Sequence, residues 1–537
     1  MAVKTLDVRT EDVVALPYDK ARLRLLPMET KMNLATIMLI QSLQYFQTVR
    51  DTPDSPYMQF LIAWSTEFLN LLWMEVLNID LAGISALRQM LFFHFPGGPG
   101  AGDIPDLSCC QSEISPLDIR DLIIALISLQ LYTTRSRNLL IRTGIFFSHH
   151  PLFIKLLEAS LSQQLNSLDS FNDKSGKSKS RRRIKMGLFA LGGGAILAVT
   201  GGIAAPMLAY GFGAVGTALG TLGPIGAAVG GAVATTGGLI ASIGVPGAVF
   251  LFGTTGASLA GWKMSKRLGC LEQFEFCPIT ETADSLEVTI CISGWLDETG
   301  DGLTKQWRPD ESGALLTDNY VLKWESRYLG HLGTLLYRLI RDEIAKSIAS
   351  FWLTATLGAA ATTLMWPVWV LNSIGDMDNT WLVVKDRAKL SGEVLANALS
   401  DQAAIGNRPV TLIGYSMGAR VIFDCMQYLH DAGNFNCIQD VVLVGSPIST
   451  TFAVQAKRDK WDRARSVVSG RLINGYCTSD WLLGFLSRYI EWGLHVAGLA
   501  PVNEPGVEDY DLSDIVSIHT DYPSKMSEIL ARMNINR

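Results

Sequence analysis

The stretch Val410-Thr411-Leu412-Ile413-Gly414-Tyr415-Ser416-Met417-Gly418-Ala419-Arg420 decides how the rest of the chain is read. Its first four residues form a short apolar run of the kind that makes a strand covered on both faces. After Ala419, the residues Val421, Ile422, Cys425, Met426 and Leu429 fall on one side of a helix. Between strand and helix stands Gly-Tyr-Ser-Met-Gly. A Gly-x-Ser-x-Gly pentapeptide alone recurs by chance in a glycine-rich chain. In this context it describes a sharp turn that holds the serine in a strained conformation at the carboxyl end of the strand. Gly414 and Gly418 are needed because side chains there would collide with the strand and the helix.

Outward from this turn, strand-like and helical stretches alternate. Strands are expected at Leu286–Ile292, Tyr320–Trp324, Val410–Gly414, Val441–Gly445, Leu472–Tyr476 and Ile515–Ile518. The alternation predicts an α/β fold with a parallel-rich sheet and crossover helices, here an α/β-hydrolase domain over residues 270–537.

A serine hydroxyl is a weak nucleophile near neutral pH and needs a base, ordinarily a histidine oriented by a carboxylate. Of the histidines after Ser416, His430 lies at the far end of the helix that starts at the turn, about 20 Å away at a rise of about 1.5 Å per residue. His495 sits among Gly, Leu and Trp in a stretch that reads as a packed helix. His519 directly follows Ile515–Ile518, which places it at the carboxyl edge of the sheet, where ligands and catalytic groups collect. Among the acids, Asp440 precedes its strand, and Asp459 and Asp462 lie among Lys457, Arg458, Lys460 and Arg463. Asp480 follows Leu472–Tyr476 at the correct edge, and Ser416, Asp480, His519 is the chain order of α/β-hydrolases. Asp480 also stands where it would cap a helix beginning at Trp481. The backbone donors expected for an oxyanion are Met417, after the serine, and Trp295 or Leu296, in the loop Ser293-Gly294-Trp295-Leu296.

Residues 1–168 read differently. Apolar residues recur at three- and four-residue spacing in Met32–Tyr45, Phe60–Leu77 and Leu117–Leu131, which predicts an all-α domain. It carries no visible chemistry, and its helices are the expected surface for protein partners. Residues 169–186 are a basic linker. From Gly187 to Trp262 the chain runs 76 residues without a charge, 21 of them glycine, with basic residues on both sides. Pro206, Pro224 and Pro246 divide this run into pieces near the about 20 residues that a spanning helix needs. Gly216 with Gly220, and Gly226 with Gly230, have the spacing of close helix packing in membranes. The expectation is a membrane segment crossing an even number of times, with both flanking domains on the cytosolic side. The competing reading is a Gly/Ala-rich hairpin buried within protein. A second uncharged run, 347–375, contains Trp352, Trp366 and Trp369 and reads as a cap over the site, a further span or an anchor that meets lipid.

At 537 residues the chain exceeds what one hydrophobic core holds. Its net charge of -6 and the absence of a basic-aromatic stripe give no reason to expect nucleic acid. Charged residues make up 18% and the mean hydropathy is +0.23, against about 25% charged in ordinary soluble proteins. Some region must therefore be very apolar. Eight cysteines without a Cys-x-x-Cys or Cys/His cluster read as reduced thiols, and His149-His150 lack ligand partners, so neither metal nor cofactor is expected. Lys4, Asp7, Arg9, Glu11 and Asp12 precede any apolar run, unlike a secretory signal.

Several of these segments together resemble the family of transmembrane and coiled-coil domain-containing protein 4. They are Ile292-Ser293-Gly294-Trp295, Met365-Trp366-Pro367 with Asp378-Asn379-Thr380-Trp381, Thr411 to Arg420, Asp480-Trp481-Leu482-Leu483-Gly484-Phe485 and His519-Thr520-Asp521-Tyr522-Pro523. The resemblance covers about residues 185–535. It implies an α/β-hydrolase-like domain with a Gly-rich apolar insertion and membrane residence, and supplies no substrate. Where that family often has Asn-Pro-Trp this chain has Asn379-Thr380-Trp381, which bears on a local turn. The sequence thus predicts a membrane-associated serine esterase or lipase cleaving an acyl ester of a lipid. The competing class is a membrane adaptor or trafficking protein that uses the fold as a scaffold.

Overall fold

The computed structural model describes residues 21–47, 55–96, 98–101, 103–105, 113–149, 153–162, 251, 271–279, 286–297, 306–307, 317–341, 368–401, 406–450, 455–491 and 495–535. They belong to two units.

The first unit holds α1 (Met28–Gln47), α2 (Pro56–Leu71) with a π-helical turn at Leu72–Val76, α3 (Leu81–His94), α4 (Pro116–Ser128), α5 (Thr134–Phe146) and a helical stretch at 153–162. Local chemistry sets the starts of these helices. The Ser55 hydroxyl accepts the Met58 N–H at 3.1 Å ahead of Pro56, the Asp80 carboxylate accepts the Gly83 N–H at 2.8 Å, and Ser115 and Asp118 form a reciprocal capping box. The unit buries unusual charge in its interior. Arg137 donates to both oxygens of Glu158 at 2.6 and 2.7 Å and to Glu287 at 2.8 Å, and the Tyr132 hydroxyl donates to Glu158. Glu287 comes from the C-terminal half of the sequence: Thr282–Glu287 and Asp401–Pro409 group with the helical unit.

The second unit is an α/β layer structure. In chain order it contains β1 (Phe274–Pro278), β2 (Val288–Ile292), β3 (Asp318–Trp324), α6 (Ser326–Arg341), α7 (Val368–Ser400), β4 (Val410–Tyr415), α8 (Met417–Asp431) and β5 (Ile438–Val444). It continues with α9 (Gln455–Val467), β6 (Leu472–Tyr476), α10 (Trp481–Glu491), β7 (Val507–Asp511) and α11 (Tyr522–Arg532). The sheet order is β1-β3-β2-β4-β5-β6-β7, and only β1 runs antiparallel to its neighbour. Every residue of β2 and β4 is buried, as expected of strands covered on both faces.

The two edges depart from the sequence expectation. β1 was not anticipated: its alternation is short and it closes on Pro278, a residue tolerated at a sheet edge. Ile515–Ile518 is not a strand, because the N–H groups of Ile515 and Val516 both return to the Leu512 carbonyl and form a turn. The last strand is Val507–Asp511, whose Glu508 pairs with Arg471 and whose Asp509 accepts from the Asn474 amide. An edge strand needs no continuous apolar run, and its charges discourage further pairing. Asn379-Thr380-Trp381 makes no turn and lies inside α7. Of the uncharged run 347–375, residues 347–367 lie outside the described residues and the remainder opens α7. The linker 169–186 and, apart from Leu251, the Gly-rich run 187–262 also lie outside the described residues. Among the described residues no helix is long and apolar enough to cross a membrane.

Replacing Arg137 with Met removes the guanidinium that the buried Glu158 and Glu287 carboxylates share. The expected result is a loss of about 3–5 kcal/mol from the helical unit, read as an earlier urea transition by circular dichroism. An unchanged midpoint would show that the ion pair carries no stability.

Candidate active site

The site begins with the backbone of one residue. Ser416 joins β4 to α8 with φ 53° and ψ −125°, in the left-handed region that a serine rarely occupies. Its N–H donates to the Val444 carbonyl at 2.9 Å, and its own carbonyl accepts the Arg420 N–H at 3.2 Å. The glycines act as the sequence predicts. A Cβ on Gly418 would lie 2.1 Å from the Ile292 oxygen, and one on Gly414 would lie 2.8 Å from the Gly418 carbonyl carbon, so neither position has room for a side chain.

The loop after β2 lies against this turn. A Cβ on Gly294 would stand 2.2 Å from the Tyr415 oxygen and 2.6 Å from the Met417 nitrogen, so the two backbones touch at this point. Side chains distant in sequence fix the loop. The Ser293 hydroxyl accepts from the Trp307 indole at 3.0 Å and from the Gln306 amide, and the Ser293 carbonyl accepts from the Trp324 indole at 3.0 Å. The Tyr415 hydroxyl donates to the Trp295 carbonyl at 2.9 Å. Of the expected backbone donors, Met417 is the first residue of α8 and Trp295 follows Gly294 in the touching loop. Leu296 must be removed from the set, because its N–H donates to the Leu329 carbonyl of α6 at 3.1 Å.

Three polar side chains converge above the sheet. The Ser416 hydroxyl donates to His519 Nε2 at 2.7 Å, and His519 Nδ1–H donates to Asp480 Oδ2 at 2.7 Å. All three residues are 0% exposed, so the serine hydroxyl does not project into solvent. The other Asp480 oxygen accepts the Leu483 N–H at 3.0 Å and caps α10, so one carboxylate both caps a helix and meets His519. His519 opens a short 3-10 turn, His519–Asp521, rather than following a strand. Asp521 organises that turn by accepting the N–H groups of Ser517 and Ile518 at 3.0 and 3.1 Å. The Tyr522 ring stands edge-on to His519 with centroids 5.4 Å apart. Burial, and then the neighbouring Asp480 carboxylate, push the Tyr522 phenol well above its ordinary pKa and keep it neutral.

The alternatives weighed in the sequence sit elsewhere. His430 Nδ1 meets the Ser466 hydroxyl at 2.8 Å at the far end of α8. His495 is neither packed nor helical: it is exposed after the described end of α10, and its carbonyl accepts the Thr450 N–H. Asp440 accepts the Arg471 N–H at 2.7 Å within β5, toward its amino end. Sequence reasoning missed Ser293, Tyr415 and Asp521 as organisers, since only the folded chain shows what each one holds. Among the described residues no group of His, Cys and carboxylates is placed to hold a metal. Chemically, the arrangement offers a hydroxyl proton to an imidazole whose other nitrogen faces a carboxylate.

A strained serine between a parallel strand and a helix, hydrogen-bonded through histidine to an aspartate, defines an α/β protein with a buried Ser-His-Asp constellation. The chain belongs to the family described as "Protein of unknown function (DUF726)", whose model matches residues 178–536. It is 38% identical over 385 residues to the rice "Transmembrane and coiled-coil domain-containing protein STS1", covering 70% of this chain and 56% of that one. It is 34% identical over 290 residues to the Caenorhabditis elegans "Uncharacterized membrane protein F35D11.3", covering 53% and 45%. It is 32% identical over 283 residues to the Saccharomyces cerevisiae "Probable lipase MIL1", covering 52% and 25%. The chain thus spans about half the length of the first two relatives and a quarter of the third. No solved structure matches it.

Gly294→Ala tests the contact between loop and turn. The methyl group has no room, so it must push the loop from Met417. The expected result is loss of fluorophosphonate labelling at Ser416 with the far-ultraviolet circular dichroism retained. Undiminished labelling would show that the loop has no part in the site.

Proposed function

We propose that this chain is a membrane-associated serine hydrolase of the α/β-hydrolase type that cleaves an acyl ester of a lipid. The observation that carries the reading is His519 placed 2.7 Å from both the Ser416 hydroxyl and the Asp480 carboxylate in a fully buried setting. In this reading Ser416 Oγ attacks the ester carbonyl as its proton passes to His519 Nε2, and Asp480 holds the imidazole in the required tautomer. The N–H groups of Met417 and Trp295 receive the charge that develops on the carbonyl oxygen. The C–O bond to the alcohol then breaks, and the alcohol leaves with the proton from His519. A water, deprotonated by the same histidine, hydrolyses the acyl-serine ester and releases the acid.

The name "Probable lipase MIL1" on one relative supports a lipid ester, and the membrane names on the others support residence at a bilayer. The 76 uncharged residues from Gly187 to Trp262 support the same residence, with the flanking domains on the cytosolic side. The likeness to transmembrane and coiled-coil domain-containing protein 4 belongs to this reading. So does the division into a helical domain at 1–168, a linker at 169–186, a membrane segment at 187–262 and a hydrolase domain at 270–537.

Ser416→Ala is expected to abolish fluorophosphonate labelling while costing about 1 kcal/mol of stability, the value of one hydrogen bond to His519. His519→Ala and Asp480→Ala are each expected to lower ester hydrolysis by orders of magnitude. The double variant should be far less impaired than the product of the two effects, because triad members act as a unit. Simple multiplication of the two losses, or labelling that survives Ser416→Ala, would remove the triad from the mechanism. For the membrane, the full chain is expected to stay in the pellet after carbonate extraction and to need detergent for release. Quantitative release by carbonate alone would favour the buried-hairpin reading of 187–262.

A further inference from the structure

Three buried side-chain atoms beside the elbow lack a hydrogen-bond partner among the described residues: Tyr522 Oη, next to Gly445 and His519, and two groups on the loops either side of the nucleophile, Trp295 Nε1 and Ser446 Oγ. Trp295 is 3% exposed and Ser446 0% exposed. Their places in the fold are related. β4, which ends in the elbow, lies between β2 and β5, and Trp295 and Ser446 stand on the loops that leave those two strands. The two loops therefore flank the strand that ends in the nucleophile.

Both loops are held in place by bonds and packing that do not involve these two atoms. The Trp295 carbonyl is held by Tyr415, and the Trp295 ring packs edge-on against Tyr337 at 5.5 Å and against Tyr415 at 6.2 Å. Around Ser446, the Gly445 N–H donates to Gly475, the Ser446 carbonyl accepts the Gly498 N–H at 2.9 Å, and the Pro447 carbonyl accepts from Arg420 of α8. The backbone of this loop is thus held at several points while the Ser446 hydroxyl has no partner among the described residues. A buried donor that is left unmade destabilises a fold, so such a group needs an explanation.

We propose that these two groups recognise the substrate, which is an ester of a polyol rather than of a simple alkyl alcohol. The inference rests on the hydrolase reading above and names its substrate class. The oxygens of the scissile ester are already assigned, one to the backbone donors and one to the departing alcohol. A simple alkyl ester would bring nothing further for Ser446 or Trp295 to hold. A glycerol-type alcohol carries additional hydroxyl or ester oxygens one or two carbons from the reacting bond. The Ser446 hydroxyl both donates to and accepts from such a group, and the Trp295 indole donates to an oxygen acceptor. A site that hydrogen-bonds a substrate oxygen discriminates strongly against the analogue that lacks it.

The test compares monooleoylglycerol with ethyl oleate in the same detergent, using the full chain. The two esters share an acyl group and differ in the alcohol, which in the glycerol ester is one carbon longer and carries two spare hydroxyls. The wild type is expected to favour the glycerol ester in kcat/KM by about tenfold or more. Ser446→Ala and Trp295→Phe, the second of which keeps an aromatic ring and removes the N–H, should each bring that ratio down toward one. If Ser446→Ala loses its thermal transition, Trp295→Phe decides. A wild-type ratio near one, or an unaltered ratio in every folded variant, overturns the proposal while leaving the hydrolase reading intact. Failure of the wild type to cleave either ester, with no fluorophosphonate labelling of Ser416, overturns the hydrolase reading itself and this inference with it.

Discussion

A serine backbone held at φ 53° is the constraint on which the rest of the site depends. Such a conformation costs on the order of 1–3 kcal/mol and persists only where its surroundings over-determine it. Here they do so from three directions. Val444 of the neighbouring strand takes the Ser416 N–H, Arg420 of α8 returns to the Ser416 carbonyl, and the end of β2 presses on Gly418 while α8 presses on Gly414. With the backbone immobile, the hydroxyl can sit where His519 arrives from a turn 103 residues further along the chain.

Asp480 shows how one side chain serves both architecture and site. One oxygen caps α10 through the Leu483 N–H and the other receives the His519 imidazole. Capping fixes the carboxylate in place, so the histidine meets an acceptor that no longer has to be ordered. Asp521 repeats the device on the other side, where its carboxylate gathers two backbone N–H groups of the turn that presents His519. Positioning is thus achieved by ordinary helix and turn chemistry.

How much of this was legible in the sequence follows from how each element is satisfied. β2, β4, β5 and β6 are interior strands, and burial on both faces leaves apolar runs that can be read directly. β1 and β7 lie at the edges, where a strand has one partner and β7 tolerates Glu508, Asp509 and Asp511. The elbow was legible because sterics demand glycine at both Gly414 and Gly418. His519 was selected on a premise that the fold corrects: the strand expected before it is a turn, although the residue still arrives at the carboxyl edge. Leu296 could not have been judged, because its N–H is claimed by Leu329 on a helix that packs there only in the folded chain. The same holds for Ser293, whose three indole and amide donors come from 13 to 31 residues away.

Burial of Ser416, His519 and Asp480 has its own logic. Each of these groups would be costly alone in a water-poor interior, where an unpaired polar atom forfeits its hydration. Joined in series, each donor meets an acceptor: Ser416 Oγ to His519 Nε2, His519 Nδ1 to Asp480 Oδ2, and the Leu483 N–H to Asp480 Oδ1. The same low dielectric strengthens every link. Removing any one member therefore leaves its neighbour with an unmet bond as well as deleting its own, so the members of the series act on stability as one unit. Trp295 and Ser446 stand outside that series with their side-chain bonds unmade among the described residues. The series itself is closed because each link is presented by local structure that has its own hydrogen bonds, the cap of α10 for Asp480 and the turn gathered by Asp521 for His519.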